Sequence, residues 1–175
     1  TAICSGQNTI LNAGNPGATY LWSTGSTAQS ISTGTAGLYY VTITDPNGCS
    51  ATIVHNVAVN PLPVAQFAAP AVCAGASLNF TNQSTISSGS IASYAWTFGN
   101  GTGSTQQQPT NTYTNPGSYT VSLTVTSATG CSASVSGPVT IHPNPQAAFS
   151  TTPVCRGNQT QFADQSTVSS GTITG

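Results

Sequence analysis

Apolar and polar residues alternate along most of this chain, which is the pattern of half-buried β-strands. In residues 118–127 a tyrosine, two valines and a leucine alternate with serine and threonine, and residues 38–44 and 91–98 alternate in the same way. Asn-Pro-Gly and Asn-Gly turn signals separate the strands, and no segment has a helical period of useful length. The pattern therefore predicts an all-β protein made of tandem antiparallel β-sandwiches of the immunoglobulin-like type.

An internal repeat divides these strands into modules. Residues 61–93 align without a gap with residues 143–175 at an offset of 82, and fifteen of the 33 positions are identical. Residues 1–60 carry the same framework in a shorter form, with Cys-x-Gly, Tyr-x-Trp, Gly-x-Tyr and Gly-Cys in the same order. We therefore predict three domains: a repeat at 1–60, a β-sandwich at 61–143, and the N-terminal part of a second such sandwich at 144–175.

The third repeat stops where the second still has about 50 residues to run. We expect the array to continue beyond residue 175, so that the missing strands follow in the same polypeptide. The alternative is that a neighbouring subunit completes the half-repeat by adding a strand. Prolines at the repeat boundaries predict short, extended linkers.

The apolar faces of the strands predict which large side chains form the cores. A module of 60 to 80 residues has a small core, so a few aromatic side chains carry much of it. The expected core residues are Trp22, Tyr39, Trp96, Phe98, Tyr113 and Tyr119. The tryptophans could instead form a stacking platform for a sugar, although their alternation favours the core. Tyr40, which faces away from Tyr39, is the better candidate for an exposed contact.

The chain has five cysteines, and none of them lies in a Cys-x-x-Cys pair. Their spacing predicts two disulfides, Cys4–Cys49 and Cys73–Cys131, each of which closes one module, and it leaves Cys155 unpaired. Disulfides indicate an oxidising, extracellular location. Buried free thiols in a cytosolic protein are the alternative.

The polar faces carry almost no charge, which excludes several functions. One basic and two acidic residues make up 2% of the chain, against about 25% in ordinary soluble domains. Because 37% of the residues are hydrophobic and the net charge is −1, charge-driven disorder is not expected. The chain has no basic patch for nucleic acid, and no apolar run approaches the roughly 20 residues of a transmembrane helix.

The few titratable residues do not predict a catalytic, cofactor or metal site. Asp45 precedes a proline in a turn, where an aspartate commonly caps the backbone. Asp164 aligns with Asn82 in the repeat, so this position does not require a charge. His55 and His142 lack the spacing of metal ligands and are expected at solvated or edge positions. We therefore predict a protein that is not an enzyme and that binds no cofactor and no metal.

Residues 94–126 resemble the PKD domain, an immunoglobulin-like fold first named for polycystic kidney disease protein. The segments that carry the likeness are YAWTFGNG and NTYTNPGSYTVSLTV. The motif positions of the family are occupied by Trp96, Phe98, Gly99, Gly101, Tyr113, Pro116, Gly117, Tyr119 and Val121. The resemblance covers about 61–143 and the start of a further copy from 144. Where the family commonly has acidic residues near the glycine turn, this chain has Thr97 and Asn100.

Residues 1–60, with YLWSTGSTAQSI and GLYYVTITDPNGCSATI, resemble repeats of giant surface adhesins of Bacteroidota. Those proteins are exported by the type IX secretion system, and some serve gliding. The resemblance implies a non-enzymatic structural segment of a secreted extracellular filament or adhesin. Its partners would be neighbouring repeats or further copies, with a glycan or surface ligand at a distal tip. The alternative is an accessory PKD, immunoglobulin-like or carbohydrate-binding module of a secreted polysaccharide-degrading enzyme.

Overall fold

The computed structural model describes residues 1–173, and the regular elements in that range are all β-strands. The predicted all-β fold is therefore confirmed. None of the described residues belongs to a helix that is long and apolar enough to cross a bilayer. The last two positions of the predicted third domain, 174 and 175, lie outside the described residues.

Two sheets form from the first sixty residues. The strands are β1 (Ala2–Cys4), β2 (Thr9–Asn12), β3 (Thr19–Trp22), β4 (Ser30–Thr33), β5 (Gly37–Thr44) and β6 (Ser50–Asn60). One sheet has the order β1-β6-β5-β3, and the other pairs β2 with β4. All neighbours are antiparallel except β1, which runs parallel to the last three residues of β6. The core contains Leu11, Ala13, Trp22, Val41, Ile43 and Val57.

The second repeat contains nine strands. They are β7 (Phe67–Ala68), β8 (Val72–Cys73), β9 (Ser77–Asn79), β10 (Thr81–Asn82), β11 (Ile91–Thr97), β12 (Gly103–Ser104), β13 (Thr110–Thr112), β14 (Gly117–Ser127) and β15 (Ser132–His142). A five-stranded sheet has the order β12-β11-β14-β15-β8, while β13 pairs with β9 and β10 with β7. As in the first repeat, the short early strand β8 is parallel to the end of the last long strand, β15.

Aromatic side chains dominate the core of the second repeat. Phe80, Trp96 and Phe98 are buried, and their ring centroids lie 5.0 to 6.3 Å apart. Phe67 packs edge-on against Phe80 and Trp96. Alternate residues of β14 complete this core, because Val121, Leu123 and Val125 are fully buried.

Two short strands follow in the third repeat, β16 (Phe149–Thr151) and β17 (Phe162–Asp164). They pair antiparallel, and Phe149 contacts Phe162 with ring centroids 5.7 Å apart. Both rings remain 69% exposed. Their equivalents in the second repeat, Phe67 and Phe80, pack against Trp96.

The chain folds as two compact units that do not coincide with the repeats. The first unit comprises Thr1–Pro63, Ile86–Ala92 and Thr126–Ala133. The second comprises Val64–Thr85, Ser93–Val125 and the described residues from Ser134 onward. The first unit therefore includes two short segments of the second repeat. The domain boundaries predicted at residues 60 and 143 follow the repeats and stay a prediction.

The disulfide pairing differs from the predicted one. The only disulfide among residues 1–173 joins Cys4 to Cys131 within the first unit, with Cα atoms 5.6 Å apart. Cys49 and Cys73 are free and exposed, so the predicted Cys4–Cys49 and Cys73–Cys131 bonds are wrong. Cys155 is also free and exposed.

Strand geometry explains the error. Cys4 lies opposite the last residue of β6, whereas Cys49 immediately precedes the first residue of that strand. Eleven residues of extended strand place the two cysteines about 35 Å apart, and a disulfide needs Cα atoms within about 7 Å. In the second repeat, Cys73 and Cys131 lie at opposite ends of β15 in the same way.

Candidate functional site

The two acidic side chains accept hydrogen bonds from backbone N–H groups of nearby residues. Among the described residues, no group of three or more His, Cys, Asp or Glu side chains could hold a metal ion. Asp45 Oδ1 accepts the N–H groups of Asn47 and Cys49 at 2.9 and 2.8 Å, which confirms its predicted capping role. The Ser166 N–H donates to Asp164 Oδ1 at 2.9 Å, and hydrogen bonding by Ser166 lowers the pKa of this exposed carboxylate. Both carboxylates thus shape turns, and neither has an acidic partner.

His55 lies on the inner side of β6 and not at the solvated or edge position expected for it. Its ring centroid is 5.8 Å from that of Trp22, and its Nε2 atom is buried without a hydrogen-bond partner. The register of β5 and β6 causes this, because it places His55 opposite the half-buried Tyr39. His142, by contrast, is exposed at the end of β15.

The two tryptophans belong to the cores and cannot form a sugar-binding platform. Each is only 2% exposed. The indole N–H of Trp22 donates to the carbonyl of Ala28 at 2.8 Å, and that of Trp96 donates to Gln106 at 2.9 Å. A buried ring offers no face on which a sugar could stack.

Equivalent tyrosines of the first two repeats bond to the chain just before their own strand. The Tyr39 hydroxyl donates to the carbonyl of Thr35 at 3.0 Å, and the Tyr119 hydroxyl donates to that of Asn115 at 3.0 Å. This is the arrangement of the tyrosine corner of immunoglobulin-like folds. Both rings are half-buried, so they serve the fold and are not free to bind a ligand.

Tyr113 and Gly99 fix the turn of the Trp-Thr-Phe-Gly motif. The Tyr113 hydroxyl is buried and donates to the Phe98 carbonyl at 2.8 Å. Burial raises the pKa of Tyr113. Gly99 has a φ of +75°, and a Cβ atom there would lie 2.6 Å from the carbonyl oxygen of Thr120. Only glycine fits this position without strain.

A patch of exposed apolar side chains covers the outer face of β3, β5 and β6. Tyr40 and Val54 lie directly opposite each other across β5 and β6, and Leu38 is two residues from Tyr40 on the same face. Leu21 lies opposite Thr42 on the other side of β5. The four apolar residues, which we call the outer patch, are 44% to 57% exposed. The sequence alone indicated only Tyr40, because the strand register brings in the others.

A groove of about 420 Å³ opens at the turn end of the first repeat. The loop Asn15–Ala18 and the turn Asp45–Cys49 form its sides, and Ile43 and Ile53 contribute apolar surface. The free thiol of Cys49 belongs to this lining. We call it the turn groove. Sequence patterns could not reveal it, because its two walls lie about 30 residues apart in the chain.

The geometry defines a class of protein, that of immunoglobulin-like β-sandwich repeats. The N-terminal eight Ig domains of Down Syndrome Cell Adhesion Molecule share this fold. The match has a TM-score of 0.61 and 15% identity, and it covers 87% of this chain and 24% of that chain. At this identity the likeness concerns the fold alone, and it agrees with the predicted immunoglobulin-like sandwich.

Residues 60–142, just under half of the chain, match the family model of the PKD domain, in agreement with the resemblance found in the sequence. The pre-pro-metalloprotease PrtV of Vibrio cholerae is 48% identical over 71 residues, or 41% of this chain and 8% of that protein. A microbial collagenase of Vibrio alginolyticus is 43% identical over 68 residues, or 38% of this chain and 8% of that protein. The chain thus corresponds to a small part of these relatives.

Proposed function

We propose that this chain is a non-catalytic accessory segment of a larger extracellular protein that degrades a polymer. The main support is the PKD domain at residues 60–142, whose similar segments occur in proteins named as a metalloprotease and as collagenases. The described acidic groups cap turns and the tryptophans fill cores. The chain itself therefore offers a scaffold, and the chemistry would come from another domain.

The extracellular location rests on the disulfide. A bond between Cys4 and Cys131 persists in an oxidising compartment and is rare in the cytosol. The surface is also suited to a variable environment. With 2% charged residues, it has few ion pairs for salt to screen. We propose that the segment keeps its shape while it spaces or positions the catalytic part.

The native polypeptide provides the test. An antibody raised against this chain would capture the full-length protein from its source under denaturing conditions, and mass spectrometry would identify the other peptides of the same polypeptide. We expect a hydrolase domain, for example one with the His-Glu-x-x-His helix of zinc proteases. A polypeptide that consists of repeats without a catalytic domain would contradict the accessory role.

A second candidate is a structural repeat of a long filament or adhesin. The repeat at an offset of 82 favours it, as does the resemblance of residues 1–60 to the Bacteroidota adhesins. In that case neighbouring repeats or further copies are the partners, and a glycan or surface ligand is bound elsewhere. Immunogold labelling of whole cells with the same antibody should then give evenly spaced gold along surface fibres, whereas an enzyme would give scattered or soluble label.

The outer patch allows a third role to be tested, that of a sugar-binding module. Tyr40 is its aromatic residue, and it lies beside Val54 on an open sheet face. If the chain binds on a glycan array and Tyr40→Ala removes the binding, the first repeat is a ligand-binding module. Thr52→Ala, a change of an exposed residue two positions from Val54, is the matched control. We expect that neither the unsubstituted chain nor Tyr40→Ala binds a glycan on the array.

A further inference from the structure

We propose that Cys49 and Cys73 form disulfides with neighbouring repeats of the same protein, in the same way that Cys4 bonds to Cys131. Cys73 would bond to the second cysteine of the repeat that follows it, and Cys49 to the first cysteine of a repeat that precedes it. The proposal goes beyond the function proposed above, because it holds for an accessory segment and for a filament alike.

The first cysteine of each repeat has the same surroundings. Cys4 ends β1 opposite the last residue of β6, and Cys73 ends β8 opposite the last residue of β15. In both repeats, the residue after the cysteine donates its N–H to that last residue, at 2.8 and 2.9 Å. The two bonds run from Ser5 to Asn60 and from Ala74 to His142. Cys73 is therefore held on its strand end as Cys4 is.

The second cysteine of each repeat ends the same turn. In the first repeat the Cys49 N–H donates to a side-chain oxygen of Asp45 at 2.8 Å, and in the second the Cys131 N–H donates to Ser127 Oγ at 3.1 Å. A backbone hydrogen bond also closes each turn: the Asp45 N–H donates to the Cys49 carbonyl at 2.9 Å, and the Ser127 N–H donates to the Cys131 carbonyl at 2.8 Å. Cys49 therefore presents its thiol on the same backbone frame as the bonded Cys131.

A cleft beside the bonded cysteines and a groove near Cys73 are lined by equivalent residues of successive repeats. A cleft of about 120 Å³ in the first unit is lined by Asn60-Pro61, Ser88–Ser90 and Ser127–Thr129. Of these residues, Asn60 lies opposite Cys4, and Thr129 Oγ1 is 4.0 Å from Cys131 Sγ. At an offset of 82, His142-Pro143 and Ser170–Thr172 line a groove of about 410 Å³. The residues of this groove are thus the repeat equivalents of the strand end and of one loop of the cleft. His142 in this groove lies opposite the free Cys73.

The turn groove of the first repeat resembles the part of the cleft that surrounds the second cysteine. Its walls, Asn15–Ala18 and Asp45–Cys49, correspond to the loop before β11 and to the turn between β14 and β15. In the second repeat those two segments line the cleft together with Asn60-Pro61. A strand end and its cysteine from a preceding repeat would therefore complete the turn groove and reach Cys49.

The chemistry of each bond is an oxidation of two thiols. Both lose their protons, one S–S bond forms, and two electrons pass to a disulfide donor, which is itself reduced to two thiols. The donor is a low-molecular-weight disulfide or a thiol–disulfide oxidoreductase of the oxidising compartment. In the mature protein each repeat would then be bonded to the repeats on both sides of it.

The chain itself gives the first test. Alkylation of the native, unreduced protein, followed by peptic digestion at acid pH and mass spectrometry, should show Cys4 linked to Cys131. Cys49, Cys73 and Cys155 should all be alkylated. Acid pH matters because the thiolate is the species that exchanges disulfides. A link from Cys4 to Cys49, or from Cys73 to Cys131, would overturn the proposal.

A longer chain gives the second test. Residues 1–175 are extended by a second copy of residues 94–143, which completes the third repeat. The extension adds a copy of Cys131, and this added cysteine is the expected partner of Cys73, as Cys131 is the partner of Cys4. After oxidation with a glutathione redox pair, we expect Cys73 to be linked to the added cysteine, while Cys49 and Cys155 remain open to alkylation. The matched control carries serine in place of the added cysteine, and its Cys73 should be alkylated again.

The Cys4–Cys131 link reports folding of the first two repeats in each sample. With that link present, an alkylated Cys73 in the extended chain contradicts the proposal. So does a link from Cys73 to Cys155, or to a second molecule in a dimer seen on a non-reducing gel.

Discussion

At the scale of single residues, the large polar side chains of this protein bond mainly to main-chain carbonyls. Both tryptophans and four of the tyrosines donate to a main-chain carbonyl oxygen. An unpaired buried carbonyl is costly, and the Tyr113 hydroxyl satisfies the buried Phe98 carbonyl without any charge. A chain with three charged residues can therefore hold its loops in place.

The first prediction concerns Tyr113. Tyr113→Phe leaves the buried Phe98 carbonyl without its donor, so the free energy of unfolding at pH 7 should fall by about 1–3 kcal/mol. Burial raises the pKa of Tyr113 above 10.0, so the folded state favours the neutral hydroxyl. Its stabilisation is full below pH 10 and is lost as the pH rises through the folded-state pKa.

The difference between Tyr113→Phe and the natural chain should consequently shrink above about pH 10, as measured by urea unfolding at pH 7, 9 and 11. Tyr119→Phe is the control, because its hydroxyl bond to Asn115 lies at the exposed surface. A difference for Tyr113→Phe that stays constant up to pH 11 would show that ionisation of this hydroxyl does not contribute.

The second prediction concerns the motif glycine. Gly99→Ala places a Cβ atom 2.6 Å from a backbone oxygen at a positive φ, so it should destabilise the chain by about 3 kcal/mol or more. Gly101→Ala also has a positive φ, but nothing lies within 4 Å of its Cβ. It should cost only about 1–2 kcal/mol. Equal losses for the two variants in urea unfolding would exclude the close approach to Thr120 as the cause.

At the scale of elements, the alternation of side chains predicted the strands well, because β14 and β5 each bury every second residue. It could not predict which strands pair. The parallel pairing of β1 with the end of β6 moves Cys4 away from Cys49, and the register of β5 and β6 turns His55 inward. Likewise, Tyr40 could be selected from the sequence, but Leu21 and Val54 join the outer patch only through the register.

The third prediction concerns the disulfide. Cys4→Ser opens a loop with a sequence separation of 127 residues, so it should lower the free energy of unfolding by up to about 5 kcal/mol on the chain-entropy model. Cys49→Ser, at a free exposed thiol, should change it by less than about 0.5 kcal/mol. Denaturation without reductant measures both. Comparable losses for the two variants would be inconsistent with the Cys4–Cys131 bond.

At the scale of the whole molecule, the surface is polar and almost uncharged. Its net charge of −1 gives little long-range repulsion between copies, which favours association at high concentration. The same property removes most ionic contributions to folding, since surface ion pairs contribute at most about 1 kcal/mol each even where they exist.

The fourth prediction follows from that surface. Between 0.05 and 0.5 M NaCl at pH 7, the free energy of unfolding should change by less than about 0.5 kcal/mol, because screening has few charge pairs to weaken. Urea unfolding at the two salt concentrations is the measurement. A loss of stability of more than about 1 kcal/mol at the higher concentration would show that the three charges contribute to folding after all.

The parallel pairing of the first and last strands of the first repeat has a mechanical consequence. The chain enters β1 at one end of the shared ladder and leaves β6 at the other, since Ala2 lies opposite Ala58 and Cys4 opposite Asn60. A pull on the two ends of the repeat therefore loads these hydrogen bonds in shear, all at once, and does not peel them apart one by one. β8 and β15 form the same clamp in the second repeat, so a tethered protein built on this plan would resist tension at every repeat.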